Sequence, residues 1–156
     1  MRLPEGARAE LIDGELFMSP SPRFRHQRIS CNLLRRLADF VEARQMGVVL
    51  DAPFDVHLPS GDIVQPDIIF VSREREAMIG DRIRGAPDLL VEVLSKGDER
   101  RDRVRKRRVY RTAGVAEYWI VDPAGRTVQV LAAGERDWDE RLLGGSGLEL
   151  PLIDTV

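Results

Sequence analysis

The sequence predicts an α/β chain in which a central mixed β-sheet is flanked by α-helices. Three observations carry that reading. Apolar residues Ile29, Leu33, Leu37, Phe40 and Val41 recur at helical spacing up to about Arg44. The runs 63–71 (IVQPDIIFV), 88–94 (DLLVEVL) and 117–122 (EYWIVD) are apolar, rich in β-branched residues and bounded by turn signals, as buried strands are. Between the second and third of these runs lies a polar segment, 98–113, that reads as a helix ended by Gly114. The order helix, strands, helix, strand suits a mixed sheet with helices on its faces.

The remaining elements follow in order. Residues 8–18 (RAELIDGELFM) read as a strand pair turning at Asp13-Gly14, a strong hairpin dipeptide. The segment 19–23 (SPSPR) breaks the chain and offers serines to cap the following helix. Strand-like runs at 48–50 and 54–58 precede a turn at Pro59-Ser60-Gly61-Asp62. The stretch 73–85 carries mixed charge and no clear period. After 117–122, the turn Asp122-Pro123-Ala124-Gly125 leads into a strand at 127–132, and the tail reads as short strands that include 148–153.

With 156 residues, no repeats and no long linker, the simplest organisation is a single domain spanning 1–156. Apolar residues make up 43% and charged residues 32%, the balance of a soluble globular chain. No apolar run reaches the ~18 residues of a membrane span, and MRLPEGARAE lacks the apolar stretch of a signal peptide. A single cysteine, Cys31, excludes an internal disulfide framework, so a reducing cytoplasm is expected. The net charge of −2 gives no global basic field.

Two acids sit inside runs that otherwise favour burial, Asp67 in IVQPDIIFV and Glu92 in DLLVEVL. An unpaired buried carboxylate costs several kcal/mol, so each needs a partner, a metal or an opening to solvent. On neighbouring strands about 5 Å apart, the two could point to one face and hold Mg²⁺ or Mn²⁺, with waters and the Val93 carbonyl completing the shell. Solvated strand ends or simple ion pairs account for the same spacing. Asp88 is a second acid of the Glu92 strand, but four strand residues span roughly 13 Å, too far for one ion.

A cation near such a pair would stabilise charge at a phosphodiester or orient water. Position 94, which shares a strand face with Glu92, is Leu. The next helix supplies the alternative: Asp102, Lys106 and Tyr110 fall at i, i+4 and i+8 on one stripe. Of 24 cationic residues only Lys96 and Lys106 are lysines, and Lys106 stands among six arginines in 100–108. An exposed Asp102–Lys106 pair on a solvated basic face is the plain alternative, and the same arginines could instead neutralise nucleic-acid phosphates.

The segments GELFMSPSPRFRHQRIS, VQPDIIFVS, GAPDLLVEVLS, DRVRKRRVY and GVAEYWIVDP, in this order, resemble the Uma-type restriction endonuclease family, bacterial members of the PD-(D/E)XK nuclease superfamily. The likeness spans roughly residues 8 to 132. It implies a restriction endonuclease-like core and metal-dependent hydrolysis of DNA. Carried over by position, it makes Asp67 the acid of the Pro-Asp motif and Glu92 the acid of the third core strand. Leu94 occupies the usual lysine place, and in this family the lysine is thought to move to the helix, at Lys106. Glu15 matches an N-terminal acid able to approach the site, although a surface position beside the turn suits it equally. Ser95-Lys96-Gly97 departs from the common Ser-Pro of relatives and makes Lys96 a rival to Lys106.

The resemblance also picks out His26, for which helix capping and packing are equally good readings. His57 has no metal-like partner in the sequence, and two histidines without a Cys/His cluster give no zinc signature. Cys31 lacks the cationic surroundings of a catalytic thiol. The functional expectation is therefore a Mg²⁺- or Mn²⁺-dependent DNA endonuclease using Asp67, Glu92, Lys106 and Glu15. A catalytically inactive nuclease-fold protein that binds nucleic acid or a protein partner is the alternative. Many nucleases cut two strands as two-fold dimers, and a homodimer is compatible with this chain.

Overall fold

The structure, a computed structural model, describes residues 8–97 and 101–144. The first hairpin pairs β1 (Ala9–Ile12) with β2 (Glu15–Met18), and both turn residues adopt positive φ, Asp13 at 53° and Gly14 at 76°. That is the conformation a two-residue hairpin turn of the predicted kind requires. Helix α1 (Phe24–Ala43) follows, with Arg23 at its N-cap and no side-chain cap. The serines of 19–23 therefore do not cap the helix as expected. Burial of His26, Ile29, Leu33 and Val41 on one face holds it instead.

The run 63–71 forms two strands, not one. β5 (Ile63–Val64) belongs to a five-stranded sheet and β6 (Ile68–Ser72) to a six-stranded one, and Pro66-Asp67 lies between them. Proline lacks the N–H that a central strand must donate, which favours a break there. The small sheet has the order β2-β1-β5-β4-β7, with β4 (Val56–His57) and β7 (Ile83–Arg84) parallel. The large sheet runs β11-β10-β9-β8-β6-β3, from β3 (Gly47–Asp51) at one edge to β11 (Trp138–Gly144) at the other. Its centre, β8 (Leu89–Val93) and β9 (Glu117–Asp122), is parallel, and β10 (Thr127–Ala133) returns antiparallel. The stretch 73–85 resolves into a 3₁₀ segment, Arg73–Met78, followed by β7.

One face of the large sheet packs Val91, Val93, Val121 and Val128 against Ile29 and Leu33 of α1. The opposite face, through Ile69, Val71, Leu90 and Ile120, packs against Ile12, Val56 and Val64 of the small sheet and against Val109 and Tyr110. Helices were expected on both faces, but the second layer is mostly sheet. Its strands of two residues are fixed by tertiary pairing and leave no period of their own in the sequence.

The predicted helix over 98–113 is in two registers. Arg101–Lys106 form a π-helical turn that continues into α2 (Arg107–Ala113), which ends at Gly114 with φ 88°. A left-handed residue at that position favours glycine. The first three residues of the predicted helix, and the predicted strand at 148–153, lie outside the described residues.

Candidate active site

The site grows from the junction of the two sheets. β6 and β8 pair antiparallel with Ile68 opposite Val91 and Ile69 opposite Leu90, so one further step sets Asp67 beside Glu92. Side chains alternate along a strand. Asp67 shares its face with Ile69, and Glu92 shares its own with Leu90 and Leu94, all on the side of the small sheet. The Oδ2 atom of Asp67 accepts hydrogen bonds from the Val93 backbone N–H at 2.8 Å and pairs with His26 Nε2 at 3.2 Å. Its other oxygen, Oδ1, lies 3.7 Å from the guanidinium of Arg8.

Lys106 enters from the π-helical turn. Its buried ammonium donates to Oε1 of Glu92 at 2.7 Å and to Oε1 of Glu10 at 2.8 Å, with Asp102 Oδ1 at 3.6 Å. Tyr110 also donates to Glu92 Oε1 at 2.8 Å, while the hydroxyl of Tyr118 holds the Asp102 carbonyl at 2.9 Å. The stripe of Asp102, Lys106 and Tyr110 thus faces the carboxylates along its whole length. π-helical turns are rare and often sit at functional sites.

Electrostatics divides the acids into two kinds. Burial alone would raise all of them, because desolvation disfavours the charged form. At Asp67 the hydrogen bond and charge of His26 outweigh burial and hold the carboxyl below its usual range. Glu10 is likewise lowered, by Lys106 and the Gln65 N–H. Glu92 goes the other way. Burial dominates, Lys106 offsets part of it, and the neighbouring Asp102, Glu10 and Asp67 push its proton affinity well above the usual carboxyl range. Lys106 is disfavoured by burial, but Glu92, Glu10 and Asp102 overcome this and keep the amine protonated. His26 is raised for the same reason, by Asp67 against burial.

Of the residues singled out in the sequence, Asp67, Glu92, Lys106 and His26 line one cavity of about 570 Å³. Glu15 is not brought there. It opens β2 just after the turn, its side chain is 61% exposed, and it pairs with Arg105. Glu10, five residues earlier, takes the inward position because it shares a strand face with the buried Ile12. Sequence reasoning missed Glu10, although a polar residue on an otherwise buried strand face is the signal that exposed Asp67 and Glu92. Lys96 lines the same cavity but is exposed, whereas Lys106 is buried between its acids. Asp88 lies away from the site and binds the Ser72 N–H at 2.7 Å and Arg75 at 2.9 Å.

A divalent cation fits the donor set. Lys106 and Tyr110 both use Oε1 of Glu92, and among the described residues Oε2 of Glu92 and Oδ1 of Asp67 accept no hydrogen bond. Two hard carboxylate oxygens facing an open cavity suit an ion such as Mg²⁺, which keeps several waters and takes one or two protein carboxylates. Among the described residues no three His, Cys, Asp or Glu side chains converge as a complete metal cage.

The whole of this arrangement falls within a match to one family model, Uma2, described as "Putative restriction endonuclease", over residues 1–154. The chain belongs to the Uma2 family. Its fold agrees with a solved structure described as "a putative nuclease belonging to DUF820 from Anabaena variabilis ATCC 29413", with a TM-score of 0.74 and 19% identity over 92% of this chain and 80% of that one. At that identity the likeness concerns the fold. A comparison with curated proteins finds no match. For this Uma2 protein, the restriction endonuclease-like fold expected from the sequence is therefore shown.

Proposed function

We propose that this Uma2 protein is a metal-dependent endonuclease that hydrolyses phosphodiester bonds of DNA. The observation that carries the reading is the buried Lys106 ammonium bridging Glu92 and Glu10 beside Asp67 in one open cavity. Asp67 and Glu92 would hold Mg²⁺ or Mn²⁺. When bound, such an ion acidifies water and offsets negative charge on a phosphate. His26 and the Val93 N–H fix the Asp67 carboxylate through Oδ2, which leaves Oδ1, 3.7 Å from Arg8, to take the ion. Lys106 is held protonated and acts as an electrostatic and hydrogen-bonding group, not as a base. Glu10 fixes the ammonium, and the Tyr110 hydroxyl fixes Glu92. Arg8 and Arg101, which also line the cavity, supply attraction for a phosphate backbone.

Two observations favour the alternative, a non-catalytic nucleic-acid- or protein-binding member of the fold. Lys106 already donates to two carboxylates, and position 94 carries a buried leucine. Supercoiled plasmid incubated with the purified protein and Mg²⁺ or Mn²⁺ separates the readings. The nuclease reading expects nicked and linear products that vanish with EDTA and with Asp67→Ala or Glu92→Ala. Cleavage that survives either substitution removes those residues from the mechanism. Intact plasmid together with no calorimetric Mn²⁺ binding supports the non-catalytic reading.

A further inference from the structure

The outer face of α1 carries a pattern that the catalytic site does not use. Phe24, Arg28, Cys31 and Arg35 fall at i, i+4, i+7 and i+11, one stripe along the helix, opposite the buried His26, Ile29 and Leu33. Phe24 is 74% exposed. The residues on either side of it, Arg23 and Arg25, line the catalytic cavity. The stripe therefore begins at the cavity mouth and runs away from it for about 16 Å at 1.5 Å per residue.

Two features of this stripe need a cause. A phenyl ring that buries little apolar surface is not placed there by folding, since large exposed aromatics gain nothing from the hydrophobic effect. The first turn of α1 holds no acid, although the positive end of a helix favours acids and disfavours cations. Among the described residues Arg23, Arg28 and Arg35 form no ion pair. An exposed ring flanked by arginines that form no ion pair among the described residues matches a polyanion that also offers flat π-faces. Single-stranded nucleic acid has both, whereas the bases of an intact duplex are stacked on one another and hide their faces.

We propose that the α1 stripe is the track for an unpaired nucleic-acid strand entering the cavity, with Phe24 stacked on a base and Arg28 and Arg35 on its phosphates. This rests on the nuclease reading and narrows its substrate to DNA with single-stranded character at the cut. The residues of the track are positioning residues and take no part in the chemistry.

Cys31, the sole cysteine and exposed on this stripe, provides a footprint independent of cleavage. The full chain in EDTA is treated with N-ethylmaleimide with and without a 12-nucleotide oligo(dT), and binding is followed in parallel by fluorescence anisotropy. The proposal expects the oligonucleotide to slow Cys31 alkylation several-fold and a blunt duplex of equal length to protect far less. Phe24→Ala should weaken oligo(dT) binding about tenfold with an unchanged salt slope, and Phe24→Trp should restore it. Arg28→Gln should instead lower the salt slope by about 0.7. Binding without Cys31 protection, equal protection by duplex, an unaffected Phe24→Ala variant or no oligonucleotide binding would each overturn the track. Metal-dependent plasmid cleavage lost in Asp67→Ala would leave the nuclease reading standing in every one of those cases.

Discussion

The ammonium of Lys106 lies 2.7 Å from Glu92 in a position almost closed to solvent, on a helical segment that Arg103 also ties to the sheet through Asp122 and Gln129. A lysine buried this deeply is stable only with its acids, and the acids only with it. Structure and proposed chemistry are therefore coupled at one atom pair.

The first consequence concerns the lysine. Lys106→Met should lower DNA cleavage by at least about 10²-fold, the usual effect of losing one group that stabilises developing charge. It should also destabilise the fold by about 3–5 kcal/mol at neutral pH, because Glu92 loses its counter-ion and Glu10 keeps only Arg101, 3.8 Å away. Lys96→Met, at an exposed position of the same cavity, should change either quantity little. Parallel cleavage rates and urea titrations test both, and a cleavage loss with Lys96→Met alone would reverse the assignment.

Glu92→Gln tests how the stability of this cluster depends on pH. The folded-state proton affinity of Glu92 is raised by burial and by Asp102, Glu10 and Asp67. Folding therefore favours the protonated form, and the stability linked to this group is fully present below the unfolded value of 4.5 and declines as pH rises above it. The amide cannot ionise, so the stability of the variant relative to the parent should rise as pH goes from 4 to 8, and the variant should cut no DNA. Thermal melts across that range check the sign. A variant that loses stability relative to the parent as pH rises would contradict the raised proton affinity of Glu92.

Glu10→Gln and Glu15→Ala separate the acid on the small sheet that reaches the site from the one that does not. Glu10 touches Lys106 at 2.8 Å, whereas Glu15 pairs with Arg105 at the surface. Cleavage should fall tenfold or more in the first variant and stay within about twofold in the second, as surface ion pairs contribute little. Equal losses would place Glu15 in the chemistry after all.

Asp88 offers a contrast outside the site. Burial is outweighed by the Ser72 N–H and Arg75, and its carboxyl is held below the usual value of 3.8. A lowered value contributes stability that is present above the unfolded value and lost as pH falls through the folded one. Asp88→Ala should cost about 1–2 kcal/mol at pH 7, at the lower end because the side chain is partly exposed, and less below pH 3.8. Cleavage by the variant, measured where it is folded, should be unchanged.

Much of the site could be read from residues alone because burial makes polar exceptions conspicuous. Asp67 and Glu92 interrupt apolar runs, and Lys106 shares a stripe with Asp102 and Tyr110. Glu10 escaped because β1 is only four residues long and ends at a turn, where a glutamate reads as solvated. The split of 63–71 between two sheets, and the cover of the second face by strands as short as two residues, depend on pairings distant in sequence. Such pairings leave little local signature. The cavity itself, formed where hairpin, helix and both sheets meet, has none.

Crystals soaked in Mn²⁺ and measured for anomalous scattering test the central claim most directly. The account predicts a peak within coordination distance of both Asp67 and Glu92, a few ångströms from the Lys106 amine, and absent in Asp67→Ala. A fully soaked crystal with no peak there, or a peak that ignores the Asp67→Ala substitution, would contradict it.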